Sequence, residues 1–215
     1  VPAEGTILPG SYDYDRGMPR ADVLAAMQDA MAKKVAEIFA KCDPTICGDT
    51  GVVRSPSELV TLASVVEKET GVATERPQVA AVFINRLKKG MRLQSDPTII
   101  YGITKGVGKL DRPIRKSEIE AATEYNTYQI DGLPAGPIAN PGVESLLAVA
   151  SPAVTTDLYF VARTTNPADG HLFAATYDEH RKNVAAYRKA SAEAEAENAK
   201  EALEATEAAK DTPAQ

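Results

Sequence analysis

Hydrophobic residues recur every three or four positions along several stretches of the chain, which is the period of an α-helix with one apolar face. The pattern predicts helices over 20–41 and 56–70, a third over 74–90, a short one over 143–149 and a last one over 176–187. "SPSE" opens the second of these helices and "TYDE" opens the last, each as a capping box.

The remaining stretches predict strands and irregular structure. Two runs rich in β-branched and aromatic residues, 157–163 and 171–177, predict strands joined as an antiparallel hairpin. Residues 91–141 are rich in Gly, Pro, Asn, Asp and Tyr and predict a long irregular segment with short helices near 97–101 and 116–122. The fold class expected is therefore α+β, mainly helical, with one small antiparallel β-hairpin.

Composition and charge divide the chain in two. Of 215 residues, 44% are hydrophobic and 25% are charged, which is typical of a globular protein with a real core. Residues 191–215 contain seven acids and two lysines, so they carry −5 of the formal −6 and offer only Leu203 as a large apolar side chain. We expect a domain over 1–190 and an acidic tail over 191–215 that is a solvated helix fraying into disorder.

Residues 1–190 are close to neutral, so the chain lacks the basic surface that is typical of a nucleic-acid-binding protein. No run approaches the ~18 apolar residues of a membrane-spanning helix, so we expect this chain to be soluble. A sequence that starts at Val1 without Met is typical of a trimmed or mature fragment, so an upstream anchor would not be visible. A monomer is the default expectation.

The two cysteines, Cys42 and Cys47, lie in "KCDPTICGD". They predict a small disulfide-closed loop, with free thiols as the alternative, because spacing alone does not establish the geometry. Half a metal site is the third interpretation, but no second pair exists, and the only histidines, His171 and His180, are distant in sequence. We expect structural histidines, no metal site and no cofactor.

The 56–70 helix ends in the motif E-K-E-T. On a helical wheel at ~100° per residue, Glu67 and Glu69 flank the apolar stripe, while Lys68 falls opposite it. A carboxyl group against apolar packing resists ionisation, which is what a general acid near neutral pH requires. Two solvated glutamates at a helix end are the alternative that spacing alone leaves open.

Three long segments carry a resemblance to a known family. They are "LASVVEKETGVATERPQVAAVFINRLKKGMRLQSDPTIIYGI" (62–103), "YNTYQIDGLPAGPIANPG" (125–142) and "LYFVAR…GHLFAATYDEHRKNVAAYR" (158–188), preceded by "EGTILPGSYDYDRG" (4–17). In this order they resemble the catalytic region of the endolytic murein transglycosylase (YceG-like) family. The match covers roughly residues 4–188 and leaves out the acidic tail and the Cys loop.

The resemblance implies that Glu69 is the catalytic acid and base, with Glu67 as a supporting neighbour. It implies cleavage between N-acetylmuramic acid and N-acetylglucosamine within peptidoglycan strands, by attack of the sugar's own C6 hydroxyl to give 1,6-anhydro ends. It also implies a protein of the bacterial envelope that faces the periplasm, with an N-terminal helix in the inner membrane and a LysM-like module after that helix. We expect neither feature within residues 1–215. Cell-wall synthases are a further kind of partner that the family allows.

Polar and aromatic residues of the irregular segment are candidates for contacts with sugar hydroxyls and N-acetyl groups. Each has a structural alternative: "SDP" can cap the next helix, the tyrosines can pack the segment, and Asn85 can hold a buried hydrogen bond. The substrate-binding candidates are Asn85, Arg92, Gln94, Ser95, Asp96, Tyr101, Tyr125, Asn126 and Tyr128.

Two other functions stay open. One is a peptidoglycan-binding scaffold of the same fold without activity. The other is a muramidase that hydrolyses with water and uses Asp96 beside Glu69, since hydrolysis needs a second carboxylate.

Overall fold

The computed structural model describes the backbone of residues 1–210 and the side chains of residues 1–200. It confirms an α+β fold that is mainly helical, with one two-stranded antiparallel sheet in the described part. In chain order the elements are α1 (Arg20–Lys41), α2 (Pro56–Glu69), α3 (Arg76–Lys88), α4 (Asp96–Thr104), α5 (Lys116–Glu120), α6 (Val143–Ala150), β1 (Tyr159–Ala162), β2 (His171–Ala174) and α7 (Tyr177–Lys210).

The predicted elements are all present, with shifted ends. The third predicted helix begins as a 3₁₀ turn at Ala73–Glu75 before α3. The short helix expected near 97–101 is longer, because α4 continues until Lys105 adopts a left-handed conformation. Both strands are shorter than predicted. Cys42 and Cys47 are joined in a disulfide.

The chain forms two compact units, one from Val1 to Leu158 and a second beginning at Tyr159. In the first unit α2 packs against α3 and α6, and α1 packs against α2 and α6. The apolar stripe of α2 lies at the centre, since most of its large side chains are fully buried. Core side chains with no more than 1% exposure include Leu59, Leu62, Val65, Val66, Val79, Val82, Phe83, Leu146 and Val149.

The two ends of α2 have different local causes. At its start Ser55 Oγ accepts from Glu58 N at 3.2 Å, as the predicted capping box requires. The Glu58 carboxylate, however, accepts from Arg54 N at 2.6 Å, one residue before the position a standard box would use. At its end Thr70 is extended, which stops the helix at Glu69.

In the second unit β1 and β2 pair in antiparallel register, with Tyr159 opposite Ala174 and Ala162 opposite His171. The predicted capping box at the start of α7 is confirmed, because Thr176 and Glu179 exchange hydrogen bonds between side chain and backbone. Helix α7 packs on both strands. His180 stacks on Tyr159 with ring centroids 5.1 Å apart.

Helix α7 runs on to Lys210, so the helical part of the predicted tail is present in the backbone. The fraying into disorder is predicted for the far end of the chain, and residues 211–215 lie outside the described residues. A domain boundary at 190 stays a prediction. Within residues 1–210, no helix combines the length and apolarity needed to cross a lipid bilayer.

Candidate active site

Glu69 is the last residue of α2 and is half-buried. It stands one turn after Val65 and Val66, both of which are fully buried, so its side chain leaves the helix beside the core. Burial raises the pKa of Glu69 to about 7. The nearby charge of Asp96 acts in the same direction, while Ser95 and Arg86 lower the pKa.

Ser95 holds the Glu69 carboxyl group. Its hydroxyl donates to Glu69 Oε1 at 2.5 Å, and only 1% of the residue is exposed. From sequence alone, Ser95 could equally cap the next helix. Ser95 does occupy the N-cap position of α4, but its side chain makes no capping hydrogen bond there. The hydroxyl is used on Glu69 instead.

A buried arginine shapes the turn that carries Ser95. Arg86 is 8% exposed, and its Nη1 donates to the carbonyls of Arg92 and Leu93 at 3.1 and 2.9 Å and to Gln94 Oε1 at 3.2 Å. Gln94 has a φ of 53°, a left-handed conformation that is rare for residues other than glycine. This strained residue redirects the chain so that the next residue, Ser95, faces Glu69.

Thr127 fixes the same turn from the other side, and it is absent from the candidates predicted from sequence. It is fully buried, and its Oγ1 accepts from Ser95 N at 3.0 Å and lies 2.9 Å from Thr98 Oγ1. Its carbonyl accepts from Gln94 N at 3.1 Å. The only signal in the sequence is its place between two candidates in "YNTY", which says nothing about burial.

Asp96 and Tyr128 form a second pair beside Glu69. The Tyr128 hydroxyl donates to Asp96 Oδ1 at 2.6 Å, and Asp96 is exposed at the first position of α4. Burial and this hydrogen bond raise the pKa of Tyr128 above its usual range, so the phenol keeps its proton at neutral pH. The pair places one exposed carboxylate and one phenol next to the half-buried acid.

Glu67 has a different environment, although it is only two residues from Glu69. Its Oε2 accepts from Gly142 N at 3.1 Å and from Ser145 Oγ at 2.6 Å, at the start of α6. Arg76 lies 3.9 Å from the other carboxylate oxygen. Glu67 therefore ties α2 to the N-terminus of α6, where a carboxylate is favoured by exposed backbone donors.

Three other candidates are exposed or half-buried in the 92–131 region. Arg92 donates to Asp131 Oδ1 at 3.0 Å and to the Tyr128 carbonyl at 2.9 Å. Tyr101 and Tyr125 form an aromatic pair with centroids 4.8 Å apart, and the Lys105 ammonium lies 4.4 Å from the Tyr125 ring centre. Aromatic faces of this kind suit the apolar faces of sugars.

The two asparagine candidates are in structural positions. Asn126 is 1% exposed, and its Nδ2 contacts three backbone carbonyls, those of Glu118, Ile119 and Ala121. Asn85 donates to two carbonyls of the 155–157 segment, and it lines a cavity to which Glu69 does not contribute. These contacts favour the structural alternatives over substrate binding for both residues.

The described side chains contain no cluster of three His, Cys, Asp or Glu residues that could hold a metal ion. The cluster around Glu69 consists of one carboxyl group with a raised pKa, one exposed carboxylate and several hydroxyl groups. Such a set can transfer a proton to a leaving oxygen and hydrogen-bond a polar ligand.

Comparison with known proteins gives one family match. The model of the family described as "YceG-like family" matches residues 1–186. A protein of Bacillus subtilis (strain 168) named "Endolytic murein transglycosylase" is 35% identical over 182 residues, which cover 84% of this chain and 47% of that protein. A protein of the same name from Streptococcus pneumoniae is 32% identical over 188 residues, covering 85% of this chain and 32% of its own length.

A crystal structure of a yceG-like protein from Listeria monocytogenes is also similar. It matches with a TM-score of 0.66 and 30% identity, and the match covers 83% of this chain and 53% of that one. This chain thus spans about half or less of the length of these relatives.

Proposed function

Because this chain belongs to the YceG-like family, we propose that it is the catalytic region of a peptidoglycan lytic transglycosylase. Its curated relatives carry the name endolytic murein transglycosylase and match it over most of its length. The substrate proposed is the glycan strand of peptidoglycan, and the bond cleaved is that between N-acetylmuramic acid and N-acetylglucosamine. The corresponding location is the bacterial envelope, where cell-wall synthases are the proposed protein partners.

The observation that carries the proposal is the environment of Glu69. A half-buried carboxyl group with a pKa of about 7 is partly protonated at neutral pH, so it can donate to a glycosidic oxygen. The Ser95 hydroxyl fixes its direction. Glu67 is engaged in holding the start of α6, so Glu69 is the glutamate of the motif that we assign to the chemistry.

The proposed reaction needs one acid and base. Glu69 protonates the leaving oxygen and then, as a carboxylate, accepts the proton of the muramic acid C6 hydroxyl as that oxygen attacks C1. The C1–O bond to the leaving sugar breaks, and a 1,6-anhydro ring forms. The attacking group already belongs to the substrate, so it is held at high effective concentration and no water has to be positioned.

A hydrolytic muramidase is the second candidate, and Asp96 is the observation that favours it. Its exposed carboxylate lies close enough to Glu69 to raise the pKa of that group. In a hydrolase Asp96 would activate water or act as the nucleophile. In the transglycosylase Asp96 and Tyr128 would hydrogen-bond the sugar.

The products decide between these reactions. Purified peptidoglycan is digested with the chain, and the released muropeptides are analysed by mass spectrometry. We expect 1,6-anhydro ends, which are lighter than reducing ends by one water. Reducing ends throughout would establish the muramidase, and binding without cleavage would establish the inactive scaffold.

The acid is tested with a pair of variants in the same assay. Glu69→Gln should lower the cleavage rate by at least about a thousandfold, because the amide N–H of glutamine is far too weak an acid to protonate the leaving oxygen. Glu67→Gln is the matched control and should keep most of the activity in the fraction that is folded. Activity that survives in Glu69→Gln and disappears in Glu67→Gln would move the acid to Glu67.

A further inference from the structure

A cavity of about 530 Å³ opens beside the end of α2. Its walls come from the end of α2, from α4 and from the loop after α4, and include Lys68, Tyr101 and Lys109. Lys68 directly precedes Glu69, and Pro97, which also lines the cavity, directly follows Asp96. The cavity is therefore built on α2, which carries Glu69, and on α4, which carries Asp96.

Two lysines and one glutamate supply the charges of this cavity. Lys68 and Lys109 both line it, and neither ammonium group is ion-paired with a carboxylate among the side chains of residues 1–200. Glu4 is the carboxylate of the lining. Its Oε1 accepts from Asn140 Nδ2 at 3.2 Å, and the same amide accepts from Ile7 N through Oδ1 at 3.0 Å.

The lining thus offers two cations and one carboxylate oxygen, Glu4 Oε2, that has no hydrogen-bond donor in the described part of the chain. Unpaired ammonium groups attract carboxylates, and a free carboxylate oxygen accepts from peptide N–H or ammonium groups. In a stem-bearing strand both sugars are neutral, since the lactyl carboxyl group of N-acetylmuramic acid is held in an amide bond, so the sugars themselves carry no charge to match these groups. A short peptide with free carboxylates offers carboxylates to the two lysines and N–H groups to Glu4. The cavity volume lies in the usual range for ligand sites.

We propose that this cavity binds the peptide stem carried by the N-acetylmuramic acid residue next to the cleaved bond, with Lys68 and Lys109 contacting its carboxylates and Glu4 its N–H groups. The inference rests on the proposed function, since it takes peptidoglycan as the substrate. The stem branches from the sugar that reacts, and two residues of the cavity, Lys68 and Pro97, are the direct chain neighbours of Glu69 and Asp96. The chain then distinguishes strands that carry stems from strands that have lost them.

The test compares two substrates with matched variants. Glycan strands with intact stems, and the same strands after removal of the stems by an amidase, are cleaved by wild type, by Lys68→Gln/Lys109→Gln and by Lys33→Gln. Lys33 is an exposed lysine on α1 outside the cavity. We expect the double variant to lose about tenfold in kcat/KM on stem-bearing strands, and the control to lose nothing.

On stem-free strands the amidase leaves one lactyl carboxylate on each N-acetylmuramic acid, but the carboxylates of the stem are gone, so wild type and the double variant should cleave at similar kcat/KM. An equal loss on both substrates, or no loss on either, overturns the proposal. Cleavage of stem-free strands by wild type tests the proposed function without the stem. A failure of the stem proposal can therefore be told apart from a failure of the proposed function.

A binding measurement keeps the proposal testable without catalysis. The soluble tetrapeptide alanyl-γ-glutamyl-lysyl-alanine is titrated into the chain and followed by nuclear magnetic resonance, beside an analogue with both carboxylates amidated. We expect saturable shifts at the cavity residues for the free tetrapeptide, weakened at least about fivefold by amidation or by the double substitution. Equal binding of both peptides, or shifts elsewhere only, contradicts it.

Discussion

Glu67 and Glu69 lie two residues apart on α2 and differ in what surrounds them. Glu69 is half-buried and has a pKa of about 7, whereas an ordinary glutamate titrates near 4.3. The folded state therefore binds this proton more tightly than the unfolded chain does. The resulting stabilisation is fully present below pH ~4 and is lost as the pH rises through about 7.

Glu69→Gln should consequently make the protein more stable at pH 8, by about 1–2 kcal/mol, a value reduced from the full shift because the side chain is partly exposed. Near pH 4 the difference should vanish, since the wild-type carboxyl group is then neutral too. Urea unfolding at the two pH values measures it. Glu67→Gln is the control and should be destabilised at pH 8, because it weakens two hydrogen bonds at the start of α6. A loss of stability in Glu69→Gln at both pH values would show that the carboxyl group is not buried against the core.

Ser95→Ala tests the hydrogen bond that directs the acid. The Ser95 hydroxyl lowers the pKa of Glu69, so its removal should raise that pKa and move the alkaline limb of kcat/KM to higher pH. Activity at neutral pH should fall roughly tenfold, because the carboxyl group loses its orienting contact.

Ser145→Ala removes the equivalent hydroxyl from Glu67 and is the matched control for Ser95→Ala. The alkaline limb of its kcat/KM profile should stay at the wild-type pH, even where the substitution lowers the stability of the protein. Identical pH profiles for Ser95→Ala and wild type would contradict the assignment of Glu69 as the group that titrates.

The elements around the site explain what the sequence can and cannot predict. The apolar stripe of α2 is a local pattern, and it places both Glu67 and Glu69 at the edges of the stripe without deciding between a buried and a solvated carboxyl group. The burial of Glu69 is not local, because it depends on Arg86 binding the backbone carbonyls six and seven residues later and on the left-handed backbone of Gln94. Periodicity contains no information about either contact.

The irregular 91–141 segment shows the same limit. Its amide and hydroxyl groups all resemble candidates for a ligand in sequence, yet Asn126 uses its amide on backbone carbonyls. Thr127, which looks ordinary in the sequence, holds Ser95 in place. Both residues are buried, which distinguishes them from the exposed candidates of the segment, and the burial of a loop residue is decided by the elements that the loop packs on.

Thr127→Val tests the connection between the 127 segment and the start of α4. The substitution keeps the shape but leaves the buried Ser95 N–H without its acceptor, which should cost about 1–3 kcal/mol of stability. As a positioning residue, Thr127 should affect kcat more than KM. Thr61→Val is the control, since the Thr61 hydroxyl donates to the Ser57 carbonyl of its own helix. A Thr127→Val variant with unchanged kcat would mean that Ser95 does not need this anchor.

At the scale of the whole molecule, the second unit has its own packing. Helix α7 contacts β1 and β2 through its first turns: Asn183 Nδ2 donates to the Phe173 carbonyl at 3.3 Å, and His180 stacks on Tyr159. From residue 191 to residue 200 the side chains are mostly exposed. Among the side chains up to residue 200, the contacts that stabilise this unit therefore lie mainly before the acidic tail.

A chain shortened to residues 1–190 should consequently keep its stability to within about 0.5 kcal/mol and its kcat/KM unchanged, because it retains the packed turns of α7. A chain shortened to residues 1–176 is the comparison: it lacks all of α7, exposes the helix-facing side of β1 and β2, and should lose the cooperative unfolding of this unit. Urea unfolding and cleavage of peptidoglycan measure both chains. A drop of more than about 1 kcal/mol on removal of 191–215 would show that the acidic segment belongs to the folded domain, and a drop in activity alone would give it a role in substrate or partner binding.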